Sequence, residues 1–217
     1  MKRITERERE RGAEILRRLD AHMPHATIEL EYTTDLELLV AVILSAQCTD
    51  KRVNMVTPRL FAEFKSPADY ARATPEQIAG YIQSLGLYRN KAKALAALGK
   101  ALVERGGQVP REREALAELP GVGSKTAGVV ALHLGGTPSF PVDTHVGRLA
   151  RRMGFTKQTN PDKVEQDLQA LLPQASWATG HQLLVWHGRR TCFARKPECS
   201  RCVVRDLCPK LGVKSPA

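Results

Sequence analysis

The chain has 217 residues, with 33 Lys and Arg against 23 Asp and Glu, a net charge of +10. That length can bury a core without disulfide staples, and a prior of about 150 residues per domain allows one large domain or two small ones. The longest apolar run, Leu38 to Leu44, falls far short of the roughly 18 residues of a membrane span, and MKRITERERERGAEILRRLD lacks the apolar stretch of a secretory signal. The expected compartment is therefore the reducing cytoplasm, where cysteines serve as metal ligands or core residues. Excess positive charge attracts phosphate backbones through counterion release. Simple solubility or an anionic membrane surface would also suit it, but no basic helix with a clean apolar face is present.

The elements read as helix after helix. Thr34 and Glu37 have capping-box spacing before LLVAVIL, a run apolar nearly all round and so expected at the centre of a fold. Ser66-Pro67 and Thr74-Pro75 each pair an N-cap with proline at the first helical position, and Gln77 completes a capping box with Thr74. Gly86 is expected to stop that helix. A further helix is predicted over 89–104, ended by Gly106-Gly107, and Asn160-Pro161 opens another. No period-2 strand with hairpin turns stands out. The fold class is all-α.

The segment EREALAELPGVGSKTAGVVALHL carries most of the chemistry. A helix over about 111–119 ends at Pro120. The turn is Gly121-Val122-Gly123, and a second helix opens near Ser124. Paired glycines let the backbone approach a ligand. The free N–H groups of the new helix can hold a phosphate oxygen, which fixes position on DNA without reading sequence. Lys125 lies in the first turn, where the helix dipole opposes its charge. An amine must lose its proton before it attacks carbon. The residues leave two readings of Lys125 open, a nucleophile or a phosphate contact.

Next comes Val142-Asp143-Thr144-His145. Asp143 is a natural N-cap. It could equally be a carboxylate beside a breaking glycosidic bond, whose oxocarbenium-like transition state it would stabilise.

After about residue 188, Cys, Arg and Pro concentrate in a tail too short for its own core, so a metal centre is expected to hold it together. Cys192, Cys199, Cys202 and Cys208 are spaced C-x6-C-x2-C-x5-C. Structural zinc usually brings its ligands in close pairs, and only Cys199 and Cys202 form one. The wider gaps favour a [4Fe–4S] cube, with zinc left open on spacing alone. Cys48 stands apart and reads as a small core residue.

LPGVGSKTA, VDTHV and the four-cysteine pattern, in that order, resemble the endonuclease III family of helix-hairpin-helix DNA glycosylases. SAQCTDKRVN, GLYRNKAK and WHGRRTCFARKP resemble it too. The match runs from about His25 to Cys208. It implies a bilobal fold. A six-helix barrel lobe over 27–137 would carry the hairpin at about 111–134. A lobe of 1–26 and 138–217 would hold a [4Fe–4S] cluster on Cys192, Cys199, Cys202 and Cys208. DNA would bind in the cleft between the lobes. Lys125 would be the catalytic lysine and Asp143 the catalytic aspartate. Gly121, Val122, Gly123 and Ser124 would bind DNA. Gln47 would fill the gap left by a flipped nucleotide and Leu87 would wedge between bases of the opposite strand. Sequence pattern alone reads Gln47 as a helix-end polar residue and Leu87 as a core leucine. His145 would lie near the abasic sugar, and Arg195 and Lys196 would contact phosphate.

The implied activity is a bifunctional glycosylase and abasic-site lyase acting on oxidised pyrimidines. Its partner would be double-stranded DNA containing damaged pyrimidines or abasic sites, bound by a monomer, with no membrane. In a bacterium it would associate with the nucleoid. Two alternatives share part of the pattern. An adenine-DNA glycosylase has the hairpin and the cluster but no hairpin lysine. A non-catalytic DNA-binding module would have no need of Lys125 and Asp143 together.

Overall fold

The computed structural model describes residues 4–214; the first three and last three residues of the expected cluster lobe lie outside the described residues. Among the described residues all regular structure is helical and there is no strand. The chain divides into two compact units. One takes the residues up to Ile28 together with those from Pro138 onward, and the other is Glu29–Thr137.

Helix α1, Glu6–His22, belongs to the first unit and opens on a full capping box between Thr5 and Glu8. The second unit follows with α2 (Asp35–Leu44), α3 (Asp50–Asn54), α4 (Thr57–Glu63), α5 (Pro67–Arg72), α6 (Pro75–Ile82), α7 (Tyr88–Glu104), α8 (Arg113–Ala117) and α9 (Ser124–His133). Every residue of α2 from Leu38 to Leu44 is buried, as its all-round apolar pattern requires. Thr34 caps α2 through the Glu37 N–H. The Glu37 carboxylate turns to Thr33 instead, accepting from its N–H at 2.6 Å and its hydroxyl at 2.7 Å, so the reciprocal half of the expected box falls one residue early.

Both boxes at Ser66 and Thr74 are complete, Asp69 and Gln77 being their partners. Each such cap contributes on the order of 1 kcal/mol. Helices α5 and α6 pack on α7, which buries Leu95, Leu98 and Leu102 at helical spacing. The Gly107 N–H returns to Leu102 O at 2.8 Å and ends α7 where the glycine pair predicts.

Two boundaries differ from expectation. Helix α6 ends at Ile82, before Gly86, because the Leu85 N–H closes a tight turn on Ile82 O at 2.9 Å. Helix α8 covers only Arg113–Ala117, since the Leu119 N–H has already tightened to Leu116 O.

The first unit adds α10 (Thr144–Arg152), α11 (Pro161–Leu171), capped by Asn160, and α12 (Trp177–Arg190). Ile15, Leu19, Phe140, Val146, Leu149, Leu168 and Leu184 form its core. Fully burying such a side chain stabilises by about 1.5–3 kcal/mol. Beyond α12 the described residues are loop apart from a short 3-10 turn at Cys199–Arg201. This tail plugs Val204, with no exposed surface, into the unit's core. Arg11 of α1 donates to Leu207 O and to Met153 O, and Arg18 pairs with Asp206 at 2.8 Å.

Candidate DNA interface and metal centre

The hairpin is built around one obligatory glycine. Gly121 has φ +80, and a Cβ there would meet the Ala94 Cβ of α7 at 2.8 Å. Both the backbone conformation and the close approach exclude a side chain. Val122 is buried and anchors the turn. Gly123 is the N-cap of α9, and no side chain caps that end. A Cβ on Gly123 would enter open space, so the surrounding protein leaves room for something to come close. Arg113 donates to the Ser124 hydroxyl at 3.2 Å. Lys125 follows, exposed in the first turn of α9. An uncapped helix N-terminus flanked by glycine and lysine is a ready phosphate site.

Gln47 and Leu87 share a backbone peculiarity. Both are in the left-handed region, at φ +56 and +58. Neither is a glycine, and such conformations gather at functional sites because they cost energy. Gln47 lies beyond the end of α2 and is exposed. Leu87 is the N-cap of α7 and 55% exposed, so it is not the core leucine that pattern suggests. The two loops are neighbours: a Cβ on Gly86 would lie 3.9 Å from Gln47 O and 3.9 Å from Cys48 Sγ. Cys48 itself is half-buried rather than a core residue, and accepts from Lys91 Nζ at 3.4 Å.

Asp143 is the N-cap of α10, its Oδ1 accepting from the Val146 N–H at 2.7 Å. The cap occupies one carboxylate oxygen and fixes the direction of the group. His145 follows in the first turn. Arg148 Nη2 lies 3.1 Å from His145 Nδ1 and 2.8 Å from Gly188 O. A guanidinium only donates, so Gly188 O accepts from Arg148 Nη2. Burial lowers the His145 pKa, with Asp143 working against it and Arg148 adding to it. Gly188 makes this packing possible. A Cβ there would meet His145 Nδ1 at 2.9 Å and Arg148 Nη2 at 3.1 Å.

All four cysteines of the tail border one hollow, with Arg152, His187 and Val204 also in its wall. Among the described residues no three His, Cys, Asp or Glu side chains converge on a single ion. Four sulfurs that border one hollow without converging on one point suit a polynuclear cluster better than zinc. His187 Nε2 lies 3.5 Å from Cys202 Sγ. Arg152 Nη1 donates to Cys192 Sγ at 3.3 Å. Burial pushes the Cys202 and Cys208 thiols up, so ligation must displace their protons. Arg152 also donates to Phe193 O at 2.6 Å and Ala194 O at 2.8 Å. That pins the start of the exposed loop on which Arg195 and Lys196 stand, Lys196 at φ +48.

The second unit thus brings the Gln47 and Leu87 loops together and presents the hairpin with Lys125. The first unit brings together Asp143, His145 and the cysteines, linked through Arg148 and Arg152 on α10. Sequence reasoning missed Lys91, Arg148, Arg152, His187 and Gly188. The spacing of four between Arg148 and Arg152, which puts them on one helix face, was the available signal for that pair.

Residues 40–174 match the family model of HhH-GPD superfamily base excision DNA repair proteins, and residues 192–208 match the iron-sulfur binding domain of endonuclease III. Those matches define the class: a helix-hairpin-helix base excision repair protein with an iron–sulfur domain. Endonuclease III of Synechocystis sp. is 45% identical over 203 residues, 93% of each chain. Endonuclease III of Escherichia coli is 42% identical over 196 residues, 90% of this chain and 93% of that one. A solved structure of a trapped endonuclease III–DNA covalent intermediate matches with TM-score 0.88 at 39% identity, covering 96% of this chain and 97% of that one. The chain belongs to the endonuclease III family. It is a DNA-binding glycosylase with abasic-site lyase activity, acts in base excision repair, and carries a [4Fe–4S] cluster. Among the described residues no helix is long and apolar enough to cross a membrane.

Proposed function

We propose that this chain, as a monomer, removes oxidised pyrimidines from duplex DNA and then cuts the strand on the 3′ side of the abasic site. In a bacterial host its place of work is the nucleoid. The observation that carries this reading is Lys125, exposed in the first turn of an uncapped helix directly after the Gly-Val-Gly turn. The amine is delivered where backbone N–H groups can hold a neighbouring phosphate.

In the reaction the damaged nucleotide leaves the stack, at a cost of a few kcal/mol. Gln47 and Leu87 offset part of that by filling the vacated space. The Lys125 lone pair forms a bond to C1′ as the C1′–N bond to the base breaks, and the base leaves with the bonding electrons and takes up a proton. Asp143, held by its cap bond, stabilises the positive charge that develops on the sugar. The nitrogen then loses a proton as its lone pair expels O4′ from C1′; O4′ takes up a proton, and the opened sugar stays bound to Lys125 as a Schiff base. Removal of a 2′ proton then expels the 3′ phosphate. The similarity to an endonuclease III trapped as a covalent intermediate with DNA supports this chemistry. His145 lies against the sugar and its phosphate, and Arg195 and Lys196 against the backbone.

Cys192, Cys199, Cys202 and Cys208 hold the cluster, which cross-links a tail that has no core of its own. The test is nicking of DNA holding an oxidised pyrimidine or an abasic site, with borohydride trapping beside it. Lys125→Gln should lose base release, nicking and the trapped adduct while still binding DNA. Base release or an adduct from Lys125→Gln overturns the assignment.

A further inference from the structure

Lys91 is 6% exposed, a buried lysine in the first turn of α7. A buried ammonium is costly unless its donors find partners. Here they are Leu44 O at 2.9 Å, Ala46 O at 2.8 Å and Cys48 Sγ at 3.4 Å. No carboxylate is among the three. The ammonium closes the C-terminal end of α2, where unpaired carbonyls and the negative end of the helix dipole favour a cation. It also seizes both sides of Gln47, since Ala46 and Cys48 flank that residue.

The main chain of the same residue reaches the other loop. The Lys91 N–H donates to Leu87 O at 3.0 Å and closes the first turn of α7 on it. A single residue is therefore bonded by its side chain around one left-handed residue and by its backbone to the other. Left-handed backbone is costly for a residue with a side chain, and it persists only where the surroundings over-determine it. Water could satisfy the carbonyls of a half-exposed loop. It could not hold Gln47 at a set distance from Leu87.

We infer that Lys91 is a positioning residue for base extrusion. Its ammonium clamps the Gln47 loop against the turn that carries Leu87, so that both gap-filling residues are in register before DNA arrives. This rests on the roles proposed above for Gln47 and Leu87. Preorganisation of that kind saves ordering cost at the moment of binding.

The test is a double-mutant cycle of Lys91→Met with Gln47→Ala, read as single-turnover excision of an oxidised pyrimidine by the cluster-loaded protein. Methionine keeps an unbranched apolar stem, one atom shorter, and removes the donors. Acting through Gln47, Lys91→Met should lower excision about tenfold in the wild-type background and by less than about twofold beside Gln47→Ala. Should Lys91→Met fail to fold, Lys91→Arg carries the same cycle. It keeps the charge but cannot place one compact donor among the three acceptors. A full additive loss overturns the inference, as does wild-type excision by Lys91→Met where Gln47→Ala is impaired. An inert Gln47→Ala removes both the filler role and the Lys91 inference, and leaves the Lys125 chemistry standing.

Discussion

Replacing Arg152 by methionine removes the hub that joins α10 to the cysteine tail. The side chain is 9% exposed and makes two short bonds, to Phe193 O at 2.6 Å and Ala194 O at 2.8 Å, with longer ones to Cys192 O and Cys192 Sγ at 3.4 and 3.3 Å. A hydrogen bond from a charged donor contributes about 1.5–3 kcal/mol, so the two short bonds together are worth roughly 3–6 kcal/mol. Phe193 and Ala194 are exposed. Water can reach their carbonyls in the variant, which cancels the penalty of unpaired acceptors. Methionine also restores some apolar contact and relieves the burial of a charge. The net loss is then about 3 kcal/mol, toward the lower end of that range. Urea unfolding of the cluster-loaded protein measures it, with the visible absorbance and iron content recorded alongside. The expected result is a lower midpoint at unchanged slope, with faster loss of iron. A loss below about 0.5 kcal/mol, the level of an ordinary surface substitution, would refute the reasoning.

Asp143→Asn separates the two duties of that residue. Asparagine caps a helix as well as aspartate does, so melting should be unchanged while base release falls on the order of 100-fold; unchanged excision would reduce Asp143 to a cap. Gly188→Ala places a methyl 2.9 Å from His145 Nδ1 and 3.0 Å from its Cβ. It should destabilise by about 1–3 kcal/mol and displace the ring, which thermal denaturation and histidine NMR shifts would both report. His145 itself should titrate below its ordinary value of 6.5, because burial disfavours the charged ring. The unfolded chain then takes up this proton first as pH falls. The stability His145 contributes is thus present above 6.5 and drains away below it. An NMR titration giving a pKa at or above 6.5 would contradict this.

Much was legible in the residues because its causes are local. Thr34, Ser66, Thr74 and Asn160 cap helices through N–H groups three positions on, and such bonds need nothing from the rest of the chain. The Gly-Val-Gly turn announces itself in the same way, since only glycine tolerates φ +80 at Gly121. The four cysteines were readable because thiolates at that density have few uses other than metal. Spacing did not by itself assign Gln47, Leu87 or the catalytic role of Lys125. Those came from resemblance to a family, and pattern alone put Leu87 in the core.

Tertiary structure decided what depends on distant partners. Lys91 looks like any surface lysine of an Ala- and Leu-rich helix until Leu44 and Ala46, more than forty positions earlier, close over it. Arg152 reads as one more cation of a basic helix until the cysteine loop folds back onto it. Gly188 has no evident purpose until His145 packs against its bare Cα. Hydrogen-bond geometry within one turn of helix is set by the order of the residues. The desolvation of a charge is set by whatever the rest of the chain brings to it, and no local pattern encodes that.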